Sequence, residues 1–251
     1  MRPRAFRFVL IVLLLGFPVS VFAKGPREVS YKLSSGEVVH GLLYEPAGQG
    51  RHPGIVVIHE WWGLNDWIKE QAQAFASRGY VTLAVDLYRG KVAKDAETAH
   101  ELMRGLPQDR GVENVVAAAG FLASQPNVRA DRIGAVGWCM GGGYAALLAV
   151  NDPHLRAVAI NYGSLPDDRA ELARIHAAVL GNFGGLDRGI TPEDVHAFER
   201  SMHSLGKPVD VKIYPDAGHA FENPNNQGGY RAADAADAQA RIRAFFRQEL
   251  Q

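Results

Sequence analysis

The stretch Arg132-Ile133-Gly134-Ala135-Val136-Gly137-Trp138-Cys139-Met140-Gly141-Gly142 decides how this chain is read. An apolar run leads into a cysteine flanked by glycines, and the small-residue segment Gly143-Tyr144-Ala145-Ala146-Leu147-Leu148-Ala149 leads out. Strand, sharp turn and helix in that order form the layout of a nucleophile elbow, G-x-Nuc-x-G, with cysteine as the nucleophile. Glycines at 137 and 141 allow backbone and helix to pass close to a residue held in a strained turn. The positive end of the following helix favours a thiolate at Cys139. The bland alternative is a small cysteine packed inertly under a tight strand–helix connection.

Working outward, short apolar strands alternate with helical segments. Val29–Leu33 and Val38–Tyr44 flank the turn signal Ser35-Gly36 and read as an antiparallel hairpin. Gly54–His59 and Tyr80–Asp86 are continuous apolar runs, the pattern of strands buried on both faces. Asp66 is expected to cap a helix reaching about Arg78, and further helices are expected near 95–105 and 108–124. After the elbow come strands at Leu155–Asn161 and Ala177–Gly181, with a loop containing Pro166 between them. Thr191-Pro192-Glu193-Asp194 starts a helix to about Leu205, with threonine as cap and proline at the first position. Val209–Tyr214 alternates as an edge strand does, and a helix from about Tyr230 to Leu250 closes the chain. This alternation predicts an α/β protein whose mainly parallel sheet is flanked by helices. No composition break divides residues 24–251, so a single domain is expected there.

The N-terminus differs in kind. Arg2, Arg4 and Arg7 precede an apolar run from Phe8 to about Phe22, followed by the small-residue exit Val21-Phe22-Ala23. This is the pattern of a secretory signal peptide over residues 1–23, cleaved after Ala23, and it predicts a periplasmic or secreted protein. The run is short for a membrane-spanning helix and contains Pro18, so no stable membrane association is expected after cleavage. Cleavage takes three arginines and no acid, leaving 24 basic against 27 acidic residues. No basic stripe appears, which argues against nucleic acid as a partner. The single cysteine cannot form an internal disulfide, and an odd cysteine in an exported chain points to a reactive thiol.

In such sheets ligands bind beyond the carboxyl ends of the strands. Four ionisable residues stand just past strand ends: Glu60, Cys139, Asp187 and His219. A nucleophile needs a base, and the base needs a partner that fixes its tautomer. Cys139, Asp187 and His219 supply those roles in the chain order nucleophile, acid, histidine. Singly, Asp187 reads as a turn aspartate and His219 as a structural histidine; the three together read as a catalytic set.

Five segments carry a family resemblance: Gly-Trp-Cys-Met-Gly-Gly at 137–142, His-Glu-Trp-Trp-Gly-Leu at 59–64, Val-Asp-Leu-Tyr at 85–88, Gly-Gly-x-Asp at 184–187 and Ala-Gly-His-Ala-Phe at 217–221. On these the chain resembles the dienelactone hydrolase (carboxymethylenebutenolidase-like) family of the α/β-hydrolase superfamily. The resemblance implies an α/β-hydrolase fold and a cysteine–histidine–aspartate carboxylic ester hydrolase that opens a small ester or lactone through an acyl-thioester. It implies no metal and no organic cofactor, and a monomer is expected. It also implies that Glu60 helps to generate the Cys139 thiolate, and that the N–H groups of Met140 and Trp61 form an oxyanion hole. Trp61, Trp62 and Trp138 would either wall a substrate pocket or pack in the core.

The chain departs from the family pattern where a substrate carboxylate is held. The best-known members place an arginine just beyond Asp-Leu-Tyr and another four residues past the histidine. Here Arg89 directly follows Tyr88, one place earlier, and the second position is Asn223. A paired-arginine clamp for a carboxylate is therefore half lost, while ester or lactone hydrolysis is left intact. The competing reading is a non-catalytic small-molecule-binding protein that keeps the pocket.

Overall fold

The computed structural model describes residues 25–251; the signal peptide expected at 1–23 lies outside them. In chain order the elements are β1 (Arg27–Lys32), β2 (Val38–Tyr44), β3 (His52–Ile58), α1 (Asp66–Ala76), β4 (Val81–Val85), α2 (Ala96–Arg104), α3 (Gln108–Ala123) and β5 (Val128–Trp138). They continue with α4 (Met140–Asn151), β6 (Ala157–Asn161), α5 (Arg169–Arg174), β7 (Ala178–Gly184), α6 (Pro192–Ser204), β8 (Val209–Tyr214) and α7 (Ala232–Leu250).

One eight-stranded sheet runs in the order β1-β2-β4-β3-β5-β6-β7-β8. The β1–β2 hairpin is antiparallel and docks antiparallel on β4, while β4, β3 and β5 through β8 are parallel. Because side chains alternate across the pleat, β3 sends Val56 and Ile58 to one face and Ile55 and Val57 to the other. The first face is covered by α3, α4 and α6 through Val115, Leu122, Leu148, Phe198 and Met202. The second is covered by α1 and α7 through Ile68, Phe75, Ile242 and Phe246. Strands buried on both faces need no polar alternation, which is why β3, β4 and β6 are almost wholly apolar.

Three details differ from the sequence expectation. Asn65, not Asp66, caps α1: its side-chain oxygen accepts the Ile68 N–H at 3.2 Å, and Asp66 becomes the acidic first residue of the helix. A short helix, α5, lies in the stretch expected to be loop. Asp168 caps it by accepting the N–H groups of Ala170 and Glu171, and it buries only Leu172, too little to show an apolar period. β5 starts at Val128, ahead of the strand the sequence suggests over Asp131–Gly137, because Val128 pairs with His52 across an irregularity before the regular register begins at Gly54–Ile133.

Candidate active site

The carboxyl end of β5 delivers Cys139 in a conformation that L-residues rarely adopt, φ 54° and ψ −121°. Its N–H donates to the carbonyl of Asn161 at 3.0 Å and its carbonyl accepts from Gly143 at 3.2 Å, so the turn is held from both sides. A Cβ on Gly137 would lie 1.9 Å from the Gly141 carbonyl oxygen, and one on Gly141 would lie 2.4 Å from the Ile58 oxygen. No side chain fits at either position, which explains the glycines around the cysteine. Beneath the turn a chain of amides crosses three strands. Asn161 Nδ2 donates to the Gly137 carbonyl at 3.1 Å, and Asn182 Nδ2 to Asn161 Oδ1 at 2.9 Å. Arg241 donates to Asn182 Oδ1 at 2.5 Å.

His219 comes from the loop after β8 and Asp187 from the loop after β7. His219 Nδ1 donates to Asp187 Oδ2 at 2.7 Å, and the other aspartate oxygen accepts the N–H groups of Gly189 (2.8 Å) and Ile190 (3.1 Å). Burial of Asp187 opposes its ionisation, but the His219 bond and these two N–H groups outweigh it and hold the carboxyl below its usual range. Burial likewise opposes charge on His219. The bonds from its ring to Asp187 and Cys139 overcome this and raise the imidazolium to about 10. With Nδ1 committed to Asp187, Nε2 is the nitrogen left for the thiol. Tyr162, itself at φ 38°, packs its ring edge-on against the imidazole at 5.3 Å.

Glu60 follows β3 and is 1 % exposed. Its Oε2 accepts from Asn223 Nδ2 at 2.6 Å and its Oε1 from the Tyr162 hydroxyl at 3.4 Å. Burial pushes its carboxyl up to about 7, against the pull of the Asn223 bond. The loop it starts is anchored by His59. Because the Leu87 N–H donates to His59 Nε2 at 3.2 Å, the ring proton sits on Nδ1, which donates to the Glu60 carbonyl at 2.6 Å. Met140 opens α4 and Trp61 sits in the turn closed by Gly63 N–H on Glu60 O. Among the described residues neither backbone N–H has a protein acceptor, as an oxyanion hole requires.

Glu60, Trp61, Trp62, Cys139, His219 and Asn223 line one cavity of about 780 Å³, with Lys94 at its rim. Trp61 and Trp62 are half-buried and meet edge-to-face at 5.0 Å, forming one wall. Two residues expected to contact substrate are elsewhere. Trp138 is fully buried, packs against Trp67 at 5.4 Å and donates its indole N–H to Glu222 at 3.2 Å, so it belongs to the core. Its ring fills the apolar cluster of Trp67, Tyr162 and Phe221 on which Cys139 itself packs. Arg89 lies outside the cavity and pairs with Glu37 at 2.8 Å on an exposed surface, because the turn after β4 faces the hairpin. Asn223 does reach the cavity, but its amide holds Glu60. Tyr162, His59 and Asn161 were missed from sequence; their position at or just past strand ends was the one available signal.

A family model described as the dienelactone hydrolase family matches residues 39–250. A proposed carboxymethylenebutenolidase of Methylorubrum extorquens is 31% identical over 235 residues, covering 88% of this chain and 80% of that protein. A solved dienelactone hydrolase-like promiscuous phosphotriesterase from metagenomic libraries is 25% identical with a TM-score of 0.83, covering 90% of this chain and 99% of that one. A solved structure named m3DLH is 30% identical, TM-score 0.83, over 92% of this chain and 100% of that one.

Proposed function

This chain belongs to the dienelactone hydrolase family, a family of carboxylic ester hydrolases, and from that premise we propose a thiol-dependent ester or lactone hydrolase with Cys139 as nucleophile. The observation that carries the reading is the strained Cys139 turn opening on the same cavity as a His219 ring held by Asp187. The Cys139 thiolate attacks the carbonyl carbon, and the oxygen that gains charge is received by the N–H groups of Met140 and Trp61. Collapse expels the alkoxide, which takes a proton from the His219 imidazolium and leaves an acyl-thioester. His219, again neutral, then takes a proton from water; the hydroxide attacks the thioester and frees the Cys139 thiolate. Asp187 holds the ring in one tautomer throughout. Glu60, buried and poised at about 7, exchanges a proton with the thiol as substrate enters.

The substrate we infer is an uncharged ester or lactone. Arg89 is turned away, the Asn223 amide is engaged by Glu60, and among the described residues the cavity's lysine or arginine is the exposed Lys94. A carboxylate would therefore meet no buried guanidinium. Export to the periplasm or beyond remains part of the proposal, on the strength of residues 1–23. The test is turnover of 4-nitrophenyl acetate and of a neutral unsaturated γ-lactone by the purified protein and by Cys139→Ala. Loss of all turnover above background is expected in the variant; undiminished turnover rules the mechanism out.

A further inference from the structure

Glu222 is a buried carboxyl that the mechanism above does not use. It is 4 % exposed and stands three residues past His219 in the loop that carries the imidazole. Its Oε2 accepts from the indole N–H of Trp138 at 3.2 Å and from Gln239 Nε2 of α7 at 2.9 Å. Its Oε1, equally buried, has no partner among the described residues. A polar group is expensive to hold in such a place, and an ordinary core position would carry an apolar residue.

Trp138 is the residue immediately before Cys139, and its ring is locked between Trp67 and Glu222. The backbone of Trp138 therefore sets the direction from which the chain enters the strained nucleophile turn. The Glu222 backbone, for its part, continues the turn that carries His219, Ala220 (φ 57°) and Phe221. A single side-chain contact thus joins the element holding the base to the element holding the nucleophile, and Gln239 braces it from a third.

We propose that Glu222 is a positioning residue, the strut that ties the histidine loop to the nucleophile elbow through Trp138 and so sets the Cys139–His219 approach. The unpartnered Oε1 is consistent with a neutral acid, since a bare buried oxygen costs less uncharged than charged. Burial and the neighbouring Glu60 charge push the carboxyl up to about 8, although the Trp138 and Gln239 bonds pull it down. The titratable groups that face it are Glu60 and Tyr162; its donors are neutral.

The inference rests on the hydrolase reading for the roles of Cys139 and His219, so its readout is chosen not to need turnover. The rate at which iodoacetamide alkylates Cys139 reports how well His219 holds the thiolate. At pH 7, Glu222→Leu and Trp138→Phe are each expected to slow alkylation about tenfold, the equivalent of one lost hydrogen bond, and the double variant about tenfold rather than a hundredfold. Glu222→Gln, which returns an acceptor to Trp138, should regain most of that rate. Wild-type alkylation in both single variants, or multiplied losses in the double, overturns the assignment. Should Glu222→Leu fail to fold, alkylation of Trp138→Phe at the wild-type rate overturns it equally. A wild type that alkylates as expected but turns over no ester defeats the hydrolase reading alone.

Discussion

The carboxyl rim of the sheet and the sheet's own interior obey opposite rules. Among the described residues, all four non-glycine residues with positive φ, Arg89, Cys139, Tyr162 and Ala220, lie past the carboxyl ends of β4, β5, β6 and β8. The buried ionisable side chains gather there too: His59, Glu60, Asp86, Asp187 and Glu222. The interior is aliphatic and aromatic on both faces, dominated by Val, Ile, Leu and Ala. Strain and buried charge persist at the rim because the packed layers below over-determine the backbone that enters it. The interior supplies the rigidity, and the rim spends it on geometry that no isolated loop would keep.

The largest test of that contrast places a methyl group at each level. Gly137→Ala drives a Cβ into the Gly141 carbonyl, so a loss above about 4 kcal/mol or failure to fold is expected by chemical denaturation. The interior counterpart, Phe246→Ala, leaves a void against Phe75 and Tyr80 and should cost about 3–5 kcal/mol, with the turnover of each folded molecule unchanged. A Gly137→Ala protein as stable as the wild type would break the comparison.

A smaller effect follows from the rim's buried acids. Folding raises Glu60 to about 7 and Glu222 to about 8 from an ordinary 4.5. The folded state therefore binds these protons more tightly, and their contribution to stability is complete below pH 4.5 and lost as pH rises through 7 and 8. Thermal melts should show Tm falling by at least about 4 °C between pH 5 and pH 9, and Glu60→Gln should flatten the curve. A pH-independent Tm would mean that both carboxyls ionise freely in the folded protein.

The smallest effect is expected at Arg89, which shares the rim's positive φ but none of its chemistry. Arg89→Ala removes an exposed ion pair and should leave Tm within about 2 °C and turnover of a neutral ester within about twofold. A large rise in KM for that ester would return Arg89 to the site.

The alternation of strands and helices, the elbow and the helix start at Thr191 were legible because each rests on a local pattern. An apolar run of strand length, a glycine pair with no room for a Cβ, and a Thr-Pro-Glu-Asp helix start are readable within a few residues. α5 was not legible, since six residues with one buried leucine make no period. Neither was the cap of α1, where Asn65 and Asp66 are both good caps and only the backbone angle at Asn65 separates them.

The sequence by itself determined the α/β class, the single elbow and the set of residues able to act at it, because periodicity and steric exclusion operate between near neighbours. Only the tertiary structure decided where the side chains point. Asn223 meets Glu60 across 163 residues of chain, Trp138 meets Glu222 across 84, and Arg89 turns to Glu37 across 52. Such contacts depend on which strands lie side by side and on which face each residue falls. The elbow is therefore visible in eleven residues, while the pocket around it exists only once the whole sheet is assembled.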